Sequence, residues 1–172
     1  SRQPSPHYQQ TVAKLKSHFD LSLSEAAKSL LIDAILMEAI DSFAELKIWK
    51  EASLQTDTVT GVIDYLIAPQ GKVYQSPLLC VVEAKKDDFE QGLTPCLVEM
   101  HTGQQLHYPI EIDLYGIVTN ATVWQFYRLT PLQECYEYAE LLKPEQLLGV
   151  LHFVFAQCVA NLHKISVVMP SG

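Results

Sequence analysis

Two apolar segments of the chain carry residues that could together bind a divalent cation. One run, Leu-Leu-Cys-Val-Val, leads directly into Glu83 and, two residues further on, Lys85, while Asp64 lies inside the apolar segment at residues 62–67. Successive side chains of a strand point to opposite faces, so Glu83 and Lys85 share one face. If the two segments are neighbouring strands, Asp64 can meet Glu83. Two carboxylates beside an ammonium group favour magnesium, which prefers oxygen ligands and keeps several waters.

Asp64 is the residue that separates this interpretation from an ordinary surface ion pair. An acid and a lysine at the solvent end of a strand often form only a polar cap or a weak ion pair. Asp64, in contrast, is the lone acid in the segment Val-Ile-Asp-Tyr-Leu-Ile. Acids are rarely fully buried unless they are paired or bound to a metal. The three residues together therefore favour a cation site.

The same residues resemble the signature of the PD-(D/E)XK nuclease superfamily, which includes restriction endonuclease-like domains. The resemblance lies in Gly-Val-Ile-Asp, ending at Asp64, and in Val-Val-Glu-Ala-Lys, ending at Lys85. Residues 85–92, 115–120 and 124–129 extend it. Over about residues 30–130 the chain looks similar to uncharacterised bacterial members and to the nuclease domains of type I restriction motor subunits.

The resemblance implies magnesium-dependent hydrolysis of phosphodiester bonds in DNA, with manganese as a possible replacement. It implies that Asp64 and Glu83 are metal ligands, that the Ala84 carbonyl is a backbone ligand, and that Lys85 orients or activates the attacking water. In this family an acid from the first helix often joins them. Our candidate is Glu38, and its rivals are Glu45 and Glu51. As an alternative, Glu38 is an ordinary residue of a solvated helix face.

One position departs from the pattern of the family. Relatives often have a glutamine in the helix after the lysine, and here Pro95 occupies that position. Proline is tolerated in a first helical turn but supplies no polar side chain. Glu99, Gln104 or Gln105 are partial substitutes, although as residue types they are typical of a solvated helix face. The metal site is thus expected to persist with altered positioning of DNA.

Charge gives a second functional hypothesis. The formal net charge is −8, and Arg2 and Arg128 are the only arginines. Phosphate binding usually relies on Lys and Arg. This balance favours a nuclease-like fold that serves binding or assembly, with weak or absent cleavage. For a nuclease, a cleft would need the cations Lys47, Lys50, Lys72, Lys85, Lys86 and Arg128.

Length and composition are typical of one globular domain over residues 1–172, with residues 1–6 as a mobile tail. Of its residues 48% are hydrophobic and 19% are charged, which favours a folded core.

The cysteines are widely spaced, without a Cys-x-x-Cys pair, and predict reduced core residues of a cytoplasmic protein. We expect no membrane span. No helical His pair, phosphate-binding glycine loop or Gly-x-Ser-x-Gly elbow is present.

The apolar patterns predict a mixed α/β fold with an α-β-β-β-α-β core, in which a central mixed sheet is flanked by helices. The closing helix is apolar on more than one stripe, so it is expected to pack on the sheet and also to contact a second copy in a homodimer. The predicted helices are residues 8–19, 24–46, 87–100 and 144–163, and the predicted strands are residues 47–55, 58–68, 78–84, 113–119 and 122–129.

Overall fold

The computed structural model describes residues 1–72, 77–85 and 88–168 of the chain. Within them the elements follow the predicted order, with one additional strand between the fifth strand and the closing helix, and each strand and helix is bounded as follows. The helices are α1 (Pro6–His18), α2 (Glu25–Ile40), α3 (Phe89–His107) and α4 (Pro144–Val168), and the strands are β1 (Leu46–Gln55), β2 (Thr60–Pro69), β3 (Cys80–Ala84), β4 (Leu114–Thr119), β5 (Trp124–Leu129) and β6 (Cys135–Ala139).

The strands form one mixed sheet in the order β1-β2-β3-β4-β5-β6. All neighbouring pairs are antiparallel except β3 and β4, which are parallel. A parallel pair needs a long crossover connection, and α3 supplies it. The prediction of a mixed α/β fold with a sheet flanked by helices is confirmed.

The central strand β3 is buried on both faces, as predicted. Cys80, Val81, Val82 and Glu83 are each at most 3% exposed. The Cys80 thiol lies against Cys158 of α4, whereas α3 packs on the other face. Strands buried on both faces have nearly continuous apolar sequences. This strand could therefore be recognised in the sequence, and an acid within it is unusual.

The carboxyl-terminal boundary of α2 differs from the prediction, whereas its amino-terminal boundary agrees within one residue. Its N-cap is Ser24, whose side chain accepts a hydrogen bond from the Ala27 N–H. The helix ends at Ile40 because Leu46 already begins β1 and pairs with Pro69. Here strand pairing overrides the helical pattern of the sequence.

The turn between β4 and β5 combines a residue of positive φ with an asparagine that caps the turn. Ala121, with φ 77°, and not Asn120, adopts the left-handed conformation. Asn120 instead accepts hydrogen bonds from the Thr122 and Val123 N–H groups through its side chain. The asparagine therefore stabilises the turn by mimicking a backbone acceptor.

The long helix α4 packs with one face on the core. Phe155 is fully buried and contacts Phe43, whereas Phe153 is 57% exposed. In the described part of the chain, α4 is the one helix long and apolar enough to cross a membrane, and 33% of its most apolar window is buried in the protein. Its buried stripe packs on α2 and on the sheet.

The amino-terminal segment, predicted to be mobile, makes defined contacts in the structure. The Arg2 N–H donates to the Glu145 carbonyl, and its guanidinium contacts His152 and Ser42. Ser5 is the N-cap of α1.

Candidate metal and active site

The candidate site lies where the pairing of β2 and β3 stops. The ladder runs from Ile67 and Cys80 to Tyr65 and Val82, so the next opposed pair would be Asp64 and Glu83. Instead of continuing the ladder, the Asp64 carboxylate accepts a hydrogen bond from the Ala84 N–H at 2.8 Å. The two strands therefore separate at the acids predicted from the sequence.

Glu83 meets a second buried acid, Glu99 of α3. The two side chains are 3% and 8% exposed, respectively, and they share a hydrogen bond. Burial, then Glu99, then Asp64 raise the pKa of Glu83 to about 10. Burial also raises the pKa of Glu99. Glu83 therefore carries a proton at neutral pH when no cation is near, and donates it towards Glu99.

Each of these two carboxyl groups also has an oxygen that finds no hydrogen-bond partner in the described part of the chain. The atoms are Oε1 of Glu83 and Oε2 of Glu99, both fully buried. A buried acceptor left unpaired costs about 1–3 kcal/mol. Such an arrangement requires a reason other than packing.

Lys85 lies beside this pair. Its backbone N–H donates to the Thr119 carbonyl on β4, and its side chain runs along Gly92 of α3. A Cβ on Gly92 would lie 2.8 Å from the Lys85 Cγ. The ammonium group attracts the Glu99 carboxylate and opposes the rise of its pKa. The structure thus brings Asp64, Glu83 and Lys85 together, as the sequence predicts.

The backbone of Ala84 faces β2. Its N–H donates to Asp64, and in a strand the N–H and C=O of one residue point to the same side. The Ala84 carbonyl therefore points towards the gap between the separated strands, the side on which a backbone ligand would be needed.

A cavity of about 230 Å³ adjoins Asp64 and Ala84. Two further acids line it, Glu25 from the first turn of α2 and Glu51 of β1. Glu51 has φ 54°, a conformation uncommon for residues other than glycine. It stands opposite Asp64 in the β1–β2 pairing but is skipped by the ladder.

Glu38 is not brought to this cavity. Thirteen residues separate it from Glu25 on the same helix, which corresponds to about 20 Å. Its carboxylate accepts hydrogen bonds from the Ser5 N–H at 2.8 Å and the Ser5 hydroxyl at 3.0 Å. Glu45 is paired with His163. Of the three helical candidates only Glu51 lies near Asp64, and it belongs to a strand.

Sequence reasoning missed Glu25, although a signal was available. Glu25 is the first residue of α2, and an acid from a helix is what the resemblance implies for this site. Among the candidate substitutes for the missing glutamine, Glu99 reaches the site, whereas Gln104 donates to the Ile112 and Leu129 carbonyls. Pro95 lies inside α3, one turn before Glu99.

The basic residues expected to line a cleft are spread over the surface. Lys50 pairs with Asp33 at 2.8 Å and lines the small cavity. Lys47 donates to the Gly71 carbonyl and lies over the Trp49 ring. Arg128 lies near Asp113. Lys86 and Asp87 fall outside the described residues. The aromatic residues Trp124, Phe126 and Tyr127 are buried in the core.

The donor set fits magnesium better than zinc. Among residues 1–72, 77–85 and 88–168, no group of three or more His, Cys, Asp or Glu side chains is arranged to hold a metal ion. Magnesium is usually bound through one or two carboxylates together with waters and substrate phosphates. Two buried, unpaired carboxylate oxygens beside Asp64 meet that smaller requirement, and a divalent cation would neutralise their repulsion.

Comparison with known proteins adds one partial similarity. No family model matches the chain, and no solved structure matches it. A stretch of 55 residues is 40% identical to Crinkler effector protein 5 of Phytophthora infestans. It covers 31% of this chain and 15% of that protein, so the chain spans a small part of the relative, and the similarity does not show a family.

Proposed function

We propose that this chain is a magnesium-dependent DNA nuclease domain of the PD-(D/E)XK type. One observation carries the proposal: Asp64, Glu83 and Glu99 converge with Lys85 where β2 and β3 separate, and two of their buried carboxylate oxygens are unpaired. Packing alone would favour apolar residues at these positions. The resemblance of the two motifs to the superfamily supplies the reaction class.

In this proposal each residue has a defined task. Asp64, Glu83 and the Ala84 carbonyl hold the cation, and manganese can replace magnesium. The hydrogen bond from the Ala84 N–H fixes the Asp64 carboxylate. Bound magnesium would polarise the scissile phosphate and would lower the pKa of a water molecule bound to it.

Lys85 and Glu99 complete the proposed arrangement. The Lys85 ammonium positions the attacking water and stabilises the negative charge that develops on the phosphate. Glu99 shares the proton of Glu83 while the cation is absent, and it is available as a further oxygen ligand.

The second candidate function is a nuclease-like fold that binds DNA or another partner without efficient cleavage. The net charge of −8 favours it, because few cations are available to neutralise phosphates. Pro95 favours it as well, since it replaces a polar side chain of the family pattern. We also propose a cytoplasmic location, which is compatible with both candidate functions.

Two measurements on the intact chain separate the candidates. Calorimetric titration with Mg²⁺ and Mn²⁺ tests the metal site, and incubation with single-stranded, linear duplex and supercoiled DNA, with each metal or EDTA, tests cleavage. Binding and cleavage that both disappear in Glu83→Gln support the nuclease. Metal binding without cleavage of any DNA form supports the binding module. If the chain shows no metal binding and no cleavage, the proposed site is overturned.

A further inference from the structure

Exposed apolar side chains concentrate along one edge of the sheet. β6 is the last strand of the sheet, and every one of its residues is exposed. The large apolar side chains on or beside this strand are Leu132 (81% exposed), Tyr136 (49%), Tyr138 (42%), Leu141 (87%) and, across a groove, Phe153 (57%). We call this set the β6 edge.

The opposite edge of the same sheet is protected in ways that β6 is not. β1 carries Lys47 and Lys50, and its regular pairing geometry is interrupted at Glu51 by a positive φ. Lysines and local distortions are the usual devices that stop an edge strand from pairing with another chain. β6, with the sequence Cys-Tyr-Glu-Tyr-Ala, contains neither lysine nor proline. Its outer backbone groups are therefore open to another strand.

The backbone pattern shows which groups of β6 face outwards. The Thr130 N–H donates to the Glu134 carbonyl, and Arg128 is paired with Tyr136. Hydrogen-bonded pairs alternate with non-hydrogen-bonded pairs in an antiparallel ladder. The N–H and C=O groups of the intervening residues therefore point away from β5; these residues are Cys135, Glu137 and Ala139.

We propose that β6 pairs antiparallel with β6 of a second copy of this chain, around a two-fold axis at Glu137. In this register Glu137 lies opposite its own counterpart, and Cys135 lies opposite Ala139 of the second copy. Every outward-facing N–H and C=O group of the strand then finds a partner. A closed, isologous dimer results, in which the two sheets become continuous.

The side chains on the α4 side of the sheet support the same partner. Tyr136 and Tyr138 line a groove of about 500 Å³ together with Phe126, Val150 and Phe153. Pairing around Glu137 places each Tyr136 opposite Tyr138 of the second copy, in the non-hydrogen-bonded positions where side chains approach most closely. The tyrosines of each copy thus extend the wall of the other copy's groove.

The two most exposed leucines of the edge complement each other across the axis. Leu132 precedes β6 and Leu141 follows it, so antiparallel pairing brings Leu132 of one copy towards Leu141 of the other at both ends of the strand. The Glu137 side chains lie on the opposite face of the sheet from the tyrosines. Like charges opposite each other weaken pairing, which makes Glu137 the position at which the dimer can be both strengthened and blocked.

Two substitutions at Glu137 should therefore act in opposite directions. Glu137→Gln keeps the N–H and removes the repulsion, and should tighten the dimer by up to about fivefold. Glu137→Pro removes an outward N–H that β5 does not use, a site at which an edge strand tolerates proline. It should weaken the dimer by about 100-fold. Sedimentation velocity over a wide concentration range measures both, and circular dichroism checks the fold.

A cysteine substitution tests the register. In the proposed pairing the Cα atoms of Cys135 and residue 139 of the second copy are about 5.5 Å apart, within reach of a disulfide. Ala139→Cys should therefore form an intermolecular disulfide under mild oxidation. The wild type should not, because its two Cys135 residues would lie about 13 Å apart along the strands. Adding Cys135→Ser to Ala139→Cys is the matched control and should abolish the cross-link.

Three outcomes would overturn the proposal. The first is a wild type that stays monomeric at all concentrations, which would leave this edge to a strand from a different protein. The second is a dimer that Glu137→Pro does not weaken. The third is a dimer in which Ala139→Cys forms no cross-link. None of these outcomes depends on metal binding or DNA cleavage.

Discussion

The two faces of the central strand β3 are both buried, yet their chemistry differs. Towards α4, Cys80 and Val82 are fully buried among apolar groups, and the Cys80 thiol lies against Cys158. Towards α3, Val81 is followed by Glu83, whose carboxyl group meets Glu99 and leaves one oxygen unpaired. One strand therefore carries a conventional core on one side and clustered acids on the other.

The difference shows which face was shaped by packing alone. The α4 side needs nothing beyond close contact between apolar groups. The α3 side carries the free-energy cost of burying acids near one another, and apolar residues of similar size would remove that cost. Locally unfavourable arrangements of this kind, with strongly shifted pKa values, are concentrated at functional sites.

The largest expected effect comes from replacing the buried acid. Glu83→Gln keeps the size of the side chain but removes a proposed ligand, so the proposed magnesium-dependent cleavage of DNA should fall by at least about 100-fold. Asp64→Ala and Lys85→Ala should also abolish cleavage. Quantified cleavage on gels under single-turnover conditions measures the loss. Cleavage at wild-type rates by Glu83→Gln would mean that the acids on the α3 side are not needed for cleavage.

The matched change on the other face should affect stability and leave the chemistry intact. Val82→Ala removes buried methyl groups on the same face of β3 as Cys80, and should lower the free energy of unfolding by about 2 kcal/mol. Urea unfolding measures this loss. DNA cleavage by the folded variant should stay at the wild-type rate, and a large loss of cleavage would mean that the two faces are not independent.

The acids should also make stability depend on pH in the absence of a cation. The pKa of Glu83 is about 10 in the folded state and 4.5 in its ordinary range, so the folded protein keeps a proton that the unfolded chain releases. The contribution of this group to stability is then fully present below about pH 4.5 and is lost as the pH rises towards about 10, by at most about 1.4 kcal/mol per pH unit. On the α4 side burial raises the pKa of the Cys80 thiol.

Urea unfolding in EDTA between about pH 5 and pH 8 tests this slope. Glu83→Gln should flatten the slope, because the exchanging proton is gone. Saturating magnesium should also flatten it if the cation replaces that proton. A slope that is unchanged in Glu83→Gln would assign the pH dependence to other groups.

A smaller effect is expected from the glycine beside Lys85. In Gly92→Ala the new Cβ would lie 2.8 Å from both the Lys85 Cγ and the Val118 Cγ1, so Lys85 must shift. Cleavage should fall several-fold, and stability by about 1 kcal/mol. Gly61→Ala is the control, because nothing lies within 4 Å of its added Cβ. Equal effects of the two substitutions would contradict a role for the position of Lys85.

The smallest effect is expected at Glu38, which lies outside the cluster. Glu38→Ala removes the acceptor of the Ser5 N–H and hydroxyl groups, and should destabilise the packing of α1 by about 1 kcal/mol. DNA cleavage should be unchanged. Limited proteolysis of α1 together with the cleavage assay measures both. Loss of cleavage here would mean that acids far from β3 take part in the reaction.

Part of the site could be predicted because strand geometry is local. Asp64 and Glu83 meet because each lies in an apolar run that forms a neighbouring strand, and Lys85 shares the face of Glu83 by alternation. Glu99 could be proposed only as one of three substitutes for a missing glutamine. Its contact with Glu83 depends on how α3 lies across the sheet, which no local pattern specifies.

β6 was missed for a related reason. Its five residues are all exposed, so it lacks the alternation of buried and exposed positions by which strands are recognised. Its two tyrosines are a weak strand signal, because β-propensity depends strongly on context. The strand forms because its backbone pairs with the edge of β5.

The sequence by itself determined the order of the helices and of the first five strands, the buried central strand and the proximity of Asp64 to Glu83. These features follow from periodicities of a few residues. Only the tertiary structure decided which helical acids come close to that pair. It brings Glu25 and Glu99 to the end of β3 and holds Glu38 about 20 Å from Glu25 along the helix. The reason is physical: the rotation and depth of a helix against a sheet are set by the packing of many side chains at once.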